Sequence, residues 1–414
     1  ALEANTTGQQ NTAVGFGALD SNTTASFNTA VGYNALASNI TGSDNTAVGR
    51  AALFSNTGSN NTAVGKEALK INTSGSNTTA VGRAALLVNT TGESNTALGS
   101  SALQSNTTAD NNTAVGKSAL FANTTGTSNV AVGAFALDAN TTGQQNTAVG
   151  FNSLTSNTTA NFNVALGDNC LSNNTTGVSN VAVGTLTLAA NTTGSNNIGI
   201  GVNTLDSNTT GNNNTAVGHQ ALATSTTATE NVAVGALSGD ALTTGSLNTA
   251  VGYHSLGSAT TAHSCVAIGN LALFSTTTGE NNTAVGLGAL SANTTATNNT
   301  ALGRDALNDN TTGTLNTAVG SFALDANTTG DSNTALGQGS LTVATTPDNN
   351  TAVGHAALHL TTTGANNAAV GKDALRINTT GSNNTALGKD AGNILTTGSN
   401  NTCLGYQAGT SSSP

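Results

Sequence analysis

The sequence predicts an all-β protein, a parallel β-solenoid (β-roll) of about 24 rungs with a 17-residue repeat. Three observations predict it. A glycine recurs from Gly15 through Gly32, Gly49, Gly65 and Gly82 to Gly405, always 17 residues apart except for one 16-residue step between Gly49 and Gly65. The residue before that glycine is Val, Leu or Ile in all 24 copies. The 28 charged residues (9 Lys and Arg, 19 Asp and Glu) occupy only six positions of the repeat.

A typical copy reads Asn-Thr-Ala-Val-Gly-x-x-Ala-Leu-x-x-Asn-Thr-Thr-Gly-x-x, and its positions are numbered here as offsets from the first Gly. Thr at −3 and Val at −1 alternate around Ala at −2, the period of a strand. Offset −1 is always aliphatic, and −3 exchanges Thr for Val or Ile at Val130, Val164, Val181, Ile198, Val232 and Val266. This pairing predicts that −3 and −1 face the core together with Leu at +4, which is present in 21 copies. Ala at −2 then points away from the core. It is Ala in 22 copies and never charged, and offset +3 is always Ala, Ser, Thr or Cys. Small uncharged residues on an outward face predict a close neighbour. Ala30, Ala148 and Ala318 are therefore expected at a chain–chain contact, where Glu in place of Ala148 would be costly.

The invariant Gly at offset 0 suits a corner that needs positive φ or has no room for a Cβ. The corner at +10 accepts Gly, Ala (Ala25, Ala160, Ala296) and Pro347, so it requires smallness rather than positive φ. Asn recurs at −4 in 22 of 24 copies and again at +7, as in Asn22, Asn106 and Asn327. Stacked amides of this kind form hydrogen-bonded ladders between rungs. The charges sit at +1, +2, +5, +6, +11 and +12, as in Arg50, Glu67, Lys70, Asp309, Glu93 and Asp44, which makes these the wetted offsets.

Residues 1–405 read as a single continuous solenoid and 406–414 as a C-terminal tail. The first residues, Ala1 to Gly8, are already in repeat phase without a cap, and the last rungs lose their Leu to Gly392 and Gly409. The expectation is that the chain continues axially, into flanking domains or end to end into a sister subunit. Cys170, Cys265 and Cys403 lie at least 95 residues apart, too many rungs for a bridge, and replace Ala or Asn as small fillers.

Composition narrows function by exclusion. Aromatic content is 3% and charged content 7%, with a net charge of −10 spread along the chain. No basic stripe exists to neutralise phosphates, so nucleic acid is not an expected partner. No apolar run approaches the roughly 18 residues that insert in a membrane. Catalytic and cofactor sites are not expected: the carboxylates rarely share an offset on neighbouring rungs, and no phosphate-loop or calcium β-roll pattern occurs. His355 and His359 are close in sequence, but no Cys or carboxylate cluster completes a metal site around them.

Binding surfaces remain. All twelve aromatics occupy wetted offsets, with Phe16, Phe27 and Tyr33 in adjacent rungs and Phe151 near Phe162. These five are candidate surface contacts for glycan or protein, or covers for rung edges. The recurrent Asn-Thr-Thr is formally a glycosylation sequon, as at Asn22, Asn89 and Asn191, although the Asn ladder explains its constant position. Thr files on a regular solenoid also suggest ice binding. Against this, the −3 Thr file exchanges with Val and Ile and so reads as buried.

The run Asn-Thr-Ala-Val-Gly-x-x-Ala-Leu resembles the Ser-Val-Ala-Ile-Gly-x-x-Ala motif of the YadA-like heads of trimeric autotransporter adhesins. The closing segment Gly398-Ser-Asn-Asn-Thr-Cys-Leu-Gly-Tyr-Gln-Ala-Gly409 is similar to repeat shafts of phage-type tail fibres. The resemblance implies a left-handed β-roll with three chains around one axis, on a cell or virion surface. The expected function is thus a structural extracellular fibre segment, an adhesin head or shaft or a filament-forming surface protein. Its expected partners are its own copies, as homotrimer or end-to-end filament, and a host or matrix surface protein or glycan. The alternative is a ligand-binding solenoid for ice or glycan.

Overall fold

A computed structural model describes residues 1–409 and divides the chain into two compact units, Ala1–Thr210 and Gly211–Pro414, of which residues 410–414 lie outside the description. Among the described residues there is no helix. Each rung contributes one three-residue strand, and bends and turns make up the rest. The first unit holds β1 (Thr12–Val14) to β12 (Ile198–Ile200), the second β13 (Thr215–Val217) to β24 (Thr402–Leu404). Within each unit every strand pairs parallel and in register with the next, as Thr12 with Thr29 and Val232 with Thr249. Each unit is therefore a parallel β-solenoid with the 17-residue step predicted. The 16-residue step leaves the register intact, Thr46 still pairing with Thr62. The missing residue is one Thr of the Asn-Thr-Thr corner, where Asn56-Thr57-Gly58 replaces the usual four residues.

The backbone turns by repeated left-handed residues. In one rung Gly32 has φ +139°, Asn34 +55°, Leu36 +49° and Asp44 +60°. These residues aim their amides along the axis. Asn34 N–H donates to Phe16 O of the previous rung at 2.9 Å, and Leu36 N–H to Ala52 O of the next at 3.0 Å. A left-handed Leu costs roughly 1–2 kcal/mol. Burying its side chain completely, as at Leu36 and its equivalents, stabilises by about 1.5–3 kcal/mol and holds it there. Glycine at offset 0 meets both conditions expected of it. Its φ is positive, and a Cβ on Gly32 would lie 2.6 Å from Gly49 O.

The strand faces the opposite way to the sequence expectation. Ala at −2 is fully buried in nearly every rung, whereas Thr at −3 and Val, Leu or Ile at −1 are half-buried or exposed throughout. The core is therefore Ala at −2, the small residue at +3, Leu at +4, and the two Asn files. Ala30, Ala148 and Ala318 each have 0% exposure, so they pack inside their own rung and have no surface to offer another chain. The physical reason is width. The coil is so thin that a Cβ added to Gly199, the one Gly in the Ala file, would come within 2.7 Å of Thr187 Cγ2 across the core.

Volume is conserved where the Leu file breaks. Gly239 is followed three residues later by Leu242 and Gly392 by Leu395, each Leu standing where the repeat has Asn. Leu242 is fully buried, and Leu395 Cδ1 reaches within 3.4 Å of where a Gly392 Cβ would be. The departures in the last rungs are thus partly a repacking of Leu from +4 to +7, with Cys403 Sγ also filling the space beside Gly392.

Both Asn files form ladders. Asn163 N–H donates to Asn146 Oδ1 at 3.0 Å, its Nδ2 donates to Gly177 O at 2.9 Å, and its Oδ1 accepts from Asn180 N–H at 2.9 Å. At +7, Asn89 Nδ2 donates to Asn72 Oδ1 at 2.7 Å and to Gly92 O at 2.9 Å. Both nitrogen-bearing files are buried, which makes the sequon position a structural amide rather than an exposed glycan acceptor. Where the +7 ladder stops, an acceptor is orphaned: Asn327 Oδ1 precedes Ala344, and Asn378 Oδ1 precedes Leu395. Thr at +8 adds a third file, as Thr90 Oγ1 donates to Thr107 O at 2.9 Å.

Candidate interaction surface

Because Ala occupies the inward side of a three-residue strand, its neighbours on both sides must point out. Each unit therefore presents an outward sheet face of Thr, Val or Ile at −3 (Ala368 being the exception) and Val, Leu or Ile at −1, stacked rung upon rung. Exposure in the −1 file reaches 46% at Leu98, 40% at Ile200 and 47% at Leu302. No strand position carries a charge in any of the 24 strands. Monomeric proteins rarely expose large apolar patches, so this face, with an aliphatic file beside a mostly Thr file, is the candidate interaction surface. The sequence signal for it was the readiness of −3 to exchange Thr with Val, which suits an outward β-branched file as well as a buried one.

The five aromatic candidates are all exposed, from 50% at Phe151 to 76% at Phe16. They do not form one site. Phe16 stacks on Tyr33 with centroids 5.5 Å apart, and Phe151 meets Phe135 edge to face at 6.2 Å. Phe27 and Phe162 lie at +12, on the turn that enters the strand rather than the one that leaves it. The rings at +1 and +2 also take cations, with Lys117 Nζ 5.1 Å from the Phe135 centroid and the Arg304 guanidinium 5.1 Å from that of Phe322. These contacts edge the sheet face.

His355 and His359 do come near each other, at a notch opened by Gly339 and bordered by Phe322 and Arg376. His359 Nδ1 lies 3.0 Å from Gly339 O. Among the described residues no three of His, Cys, Asp and Glu gather to hold a metal. The three cysteines are free and buried. Burial pushes the Cys170 thiol up to about 12, which keeps it protonated and unreactive at neutral pH. Cys265 takes the place of a ladder Asn, its Sγ 3.3 Å from Gly279 O.

Three carboxylates are perturbed, burial raising Asp206 and Asp240 as well as Asp325, where the shift is largest. Burial, then the charges of Asp309 and Asp305, raise Asp325 from the ordinary 3.8 to about 6. A raised folded pKa adds stability that is complete below about pH 4 and is lost as pH rises through about 6. Asp325→Asn is therefore expected to melt higher than the parent at pH 7 and to lose that advantage at pH 4. Melting temperatures of both proteins across this range check it; equal differences at both pH values would contradict the assignment.

No protein-family model matches the chain, and no curated protein matches it.

Proposed function

We propose that the chain is a structural segment of an extracellular fibre that works by associating with its own copies, a cell-surface or virion component of the kind its repeat motif resembles. The observation that carries this reading is the uncharged sheet face, with an aliphatic −1 file beside a mostly Thr −3 file, repeated in every rung of each solenoid unit. A scaffold of this kind supplies stiffness and length through backbone ladders, and association through one repeated surface. The exposed aromatic edges are the places where a host or matrix glycan or protein would bind. Electron microscopy and sedimentation of the full chain test the reading: elongated assemblies of several chains are expected, and a monomer at all concentrations would reject it.

A second reading is favoured by one specific observation. The −3 Thr file is outward, so the objection that it is buried falls, and a regular uncharged Thr and Val face suits ordered water or ice. Thermal hysteresis in a monomeric preparation would move the assignment there.

A further inference from the structure

We infer that the notch between Phe322 and Arg376 is a binding site for a small ring that carries a carboxylate. It lies within the second unit and does not depend on the fibre reading above. Two consecutive small residues open it, because offset +2 carries Gly339 and then Ala356 in the two rungs after Phe322. At the other +2 glycines the next rung fills the space. A Cβ on Gly288 would lie 2.5 Å from Asp305 Oδ1, and one on Gly17 would strike Asn34 Oδ1. A Cβ on Gly339 would meet nothing nearer than Thr342 Oγ1 at 3.5 Å. The notch has a volume of about 280 Å³, close to the ~300 Å³ at which small-molecule sites begin, so it has room for a single ring.

The lining sets the charge of the ligand. The chain carries 19 acidic residues against 9 basic ones, yet no carboxylate lines this notch, whereas Arg376, His355 and His359 do. The Arg376 side chain is 53% exposed, and Asp373 Oδ1 stands 3.6 Å from its Nε, beyond hydrogen-bond range. The guanidinium donors therefore remain for an incoming carboxylate, which they can hold in a bidentate pair. His359 adds an acceptor. Its Nδ1 meets the Gly339 carbonyl at 3.0 Å, and a carbonyl only accepts, so Nδ1 carries the proton and the neutral ring keeps its lone pair on Nε2. Phe322 supplies the apolar wall. Arg304, in the preceding rung, lies 5.1 Å from its centroid, and the notch opens towards the following rung. A cation at one end, an aromatic ring at the other and an acceptor between them match a ring that carries a carboxylate.

Saturation-transfer NMR on the full chain tests the site, with methyl β-glucuronide and benzoate as probes and methyl β-glucoside as the control that lacks the carboxylate. At least one acid is expected to bind with Kd on the order of 1 mM, and the glucoside at least about tenfold more weakly. Stronger binding of the glucuronide makes the ligand a sugar acid; stronger binding of benzoate makes it a planar apolar acid. Gly339→Asn fills the notch with a residue that other rungs accept at +2, as Asn34 and Asn203 do with φ of +55° and +54°. It should weaken binding at least about tenfold with unchanged circular dichroism. Arg376→Gln, a residue already present at +5 in Gln104, should weaken it about tenfold by removing the charge-assisted pair. Equal binding of glucuronide and glucoside, no binding of either acid, or full binding by Gly339→Asn overturns the proposal. Zn²⁺ that shifts the histidine signals while neither acid binds would replace it with a metal site. None of these outcomes bears on self-association, which sedimentation reads separately.

Discussion

Ala148→Glu is expected to unfold its rung, at a cost of at least about 3–5 kcal/mol, the loss associated with an uncompensated buried charge. Ala148 has no exposed surface, and its file packs against the small residues at +3 across a coil only one side chain wide. The carboxylate would have neither space nor a partner. The neighbouring change, Val149→Glu, should cost no more than about 1 kcal/mol, because Val149 is 37% exposed and its side chain already meets solvent. Chemical denaturation of the two variants, with hydrogen exchange to locate the loss, decides the matter. In a stack of nearest-neighbour rungs the damage should centre on β9 (Thr147–Val149) and its immediate neighbours. The reverse ranking would mean that the strand faces the other way.

Gly32→Ala is the second large effect, expected to cost about 2–5 kcal/mol. Its φ of +139° lies outside the range that L residues tolerate, which costs roughly 1–3 kcal/mol. The new Cβ would also sit 2.6 Å from Gly49 O and 2.8 Å from Gly49 C, backbone atoms that cannot rotate away, adding an overpacking cost of about 1–3 kcal/mol. Gly92→Ala is the informative control. Gly92 stands at +10 without positive φ, but its Cβ would also press on backbone, at Ala109 O of the next rung, so only the conformational cost is absent. It should cost about 1–3 kcal/mol, less than Gly32→Ala by the cost of the left-handed backbone. Equal losses at Gly32 and Gly92 in thermal melts would show that the two corners are not different in kind.

Strand orientation is not legible in the sequence, for a specific reason. A three-residue strand contains only one alternation, so hydrophobicity and size are the sole guides to its facing. In Thr-Ala-Val hydrophobicity points Val inward, while size points Ala inward. Nothing charged appears on either side to arbitrate, as charge did for the six wetted offsets. Ala30, Ala148 and Ala318 are small because they lie inside the rung, and the file whose hydrophobicity suggests a core is the outward one. The candidate aromatics fared differently: their exposure was legible from the company they keep with charged residues, but the separation of Phe27 and Phe162 from Phe16, Tyr33 and Phe151 was not.

By itself the sequence determined the repeat, the in-register parallel stacking, the solvent-facing offsets, the Asn ladders and the need for Gly at offset 0. All of these are one-dimensional properties, because a 17-residue period brings each residue beside its own equivalent whatever the cross-section of the rung. The tertiary structure alone decided that cross-section. Left-handed backbone at +2, +4 and +12, held by amides directed to the adjacent rungs, closes the coil so tightly that only Ala fits behind the strand. Val and Thr were thereby turned outward, and a residue pattern suited to a core became a surface.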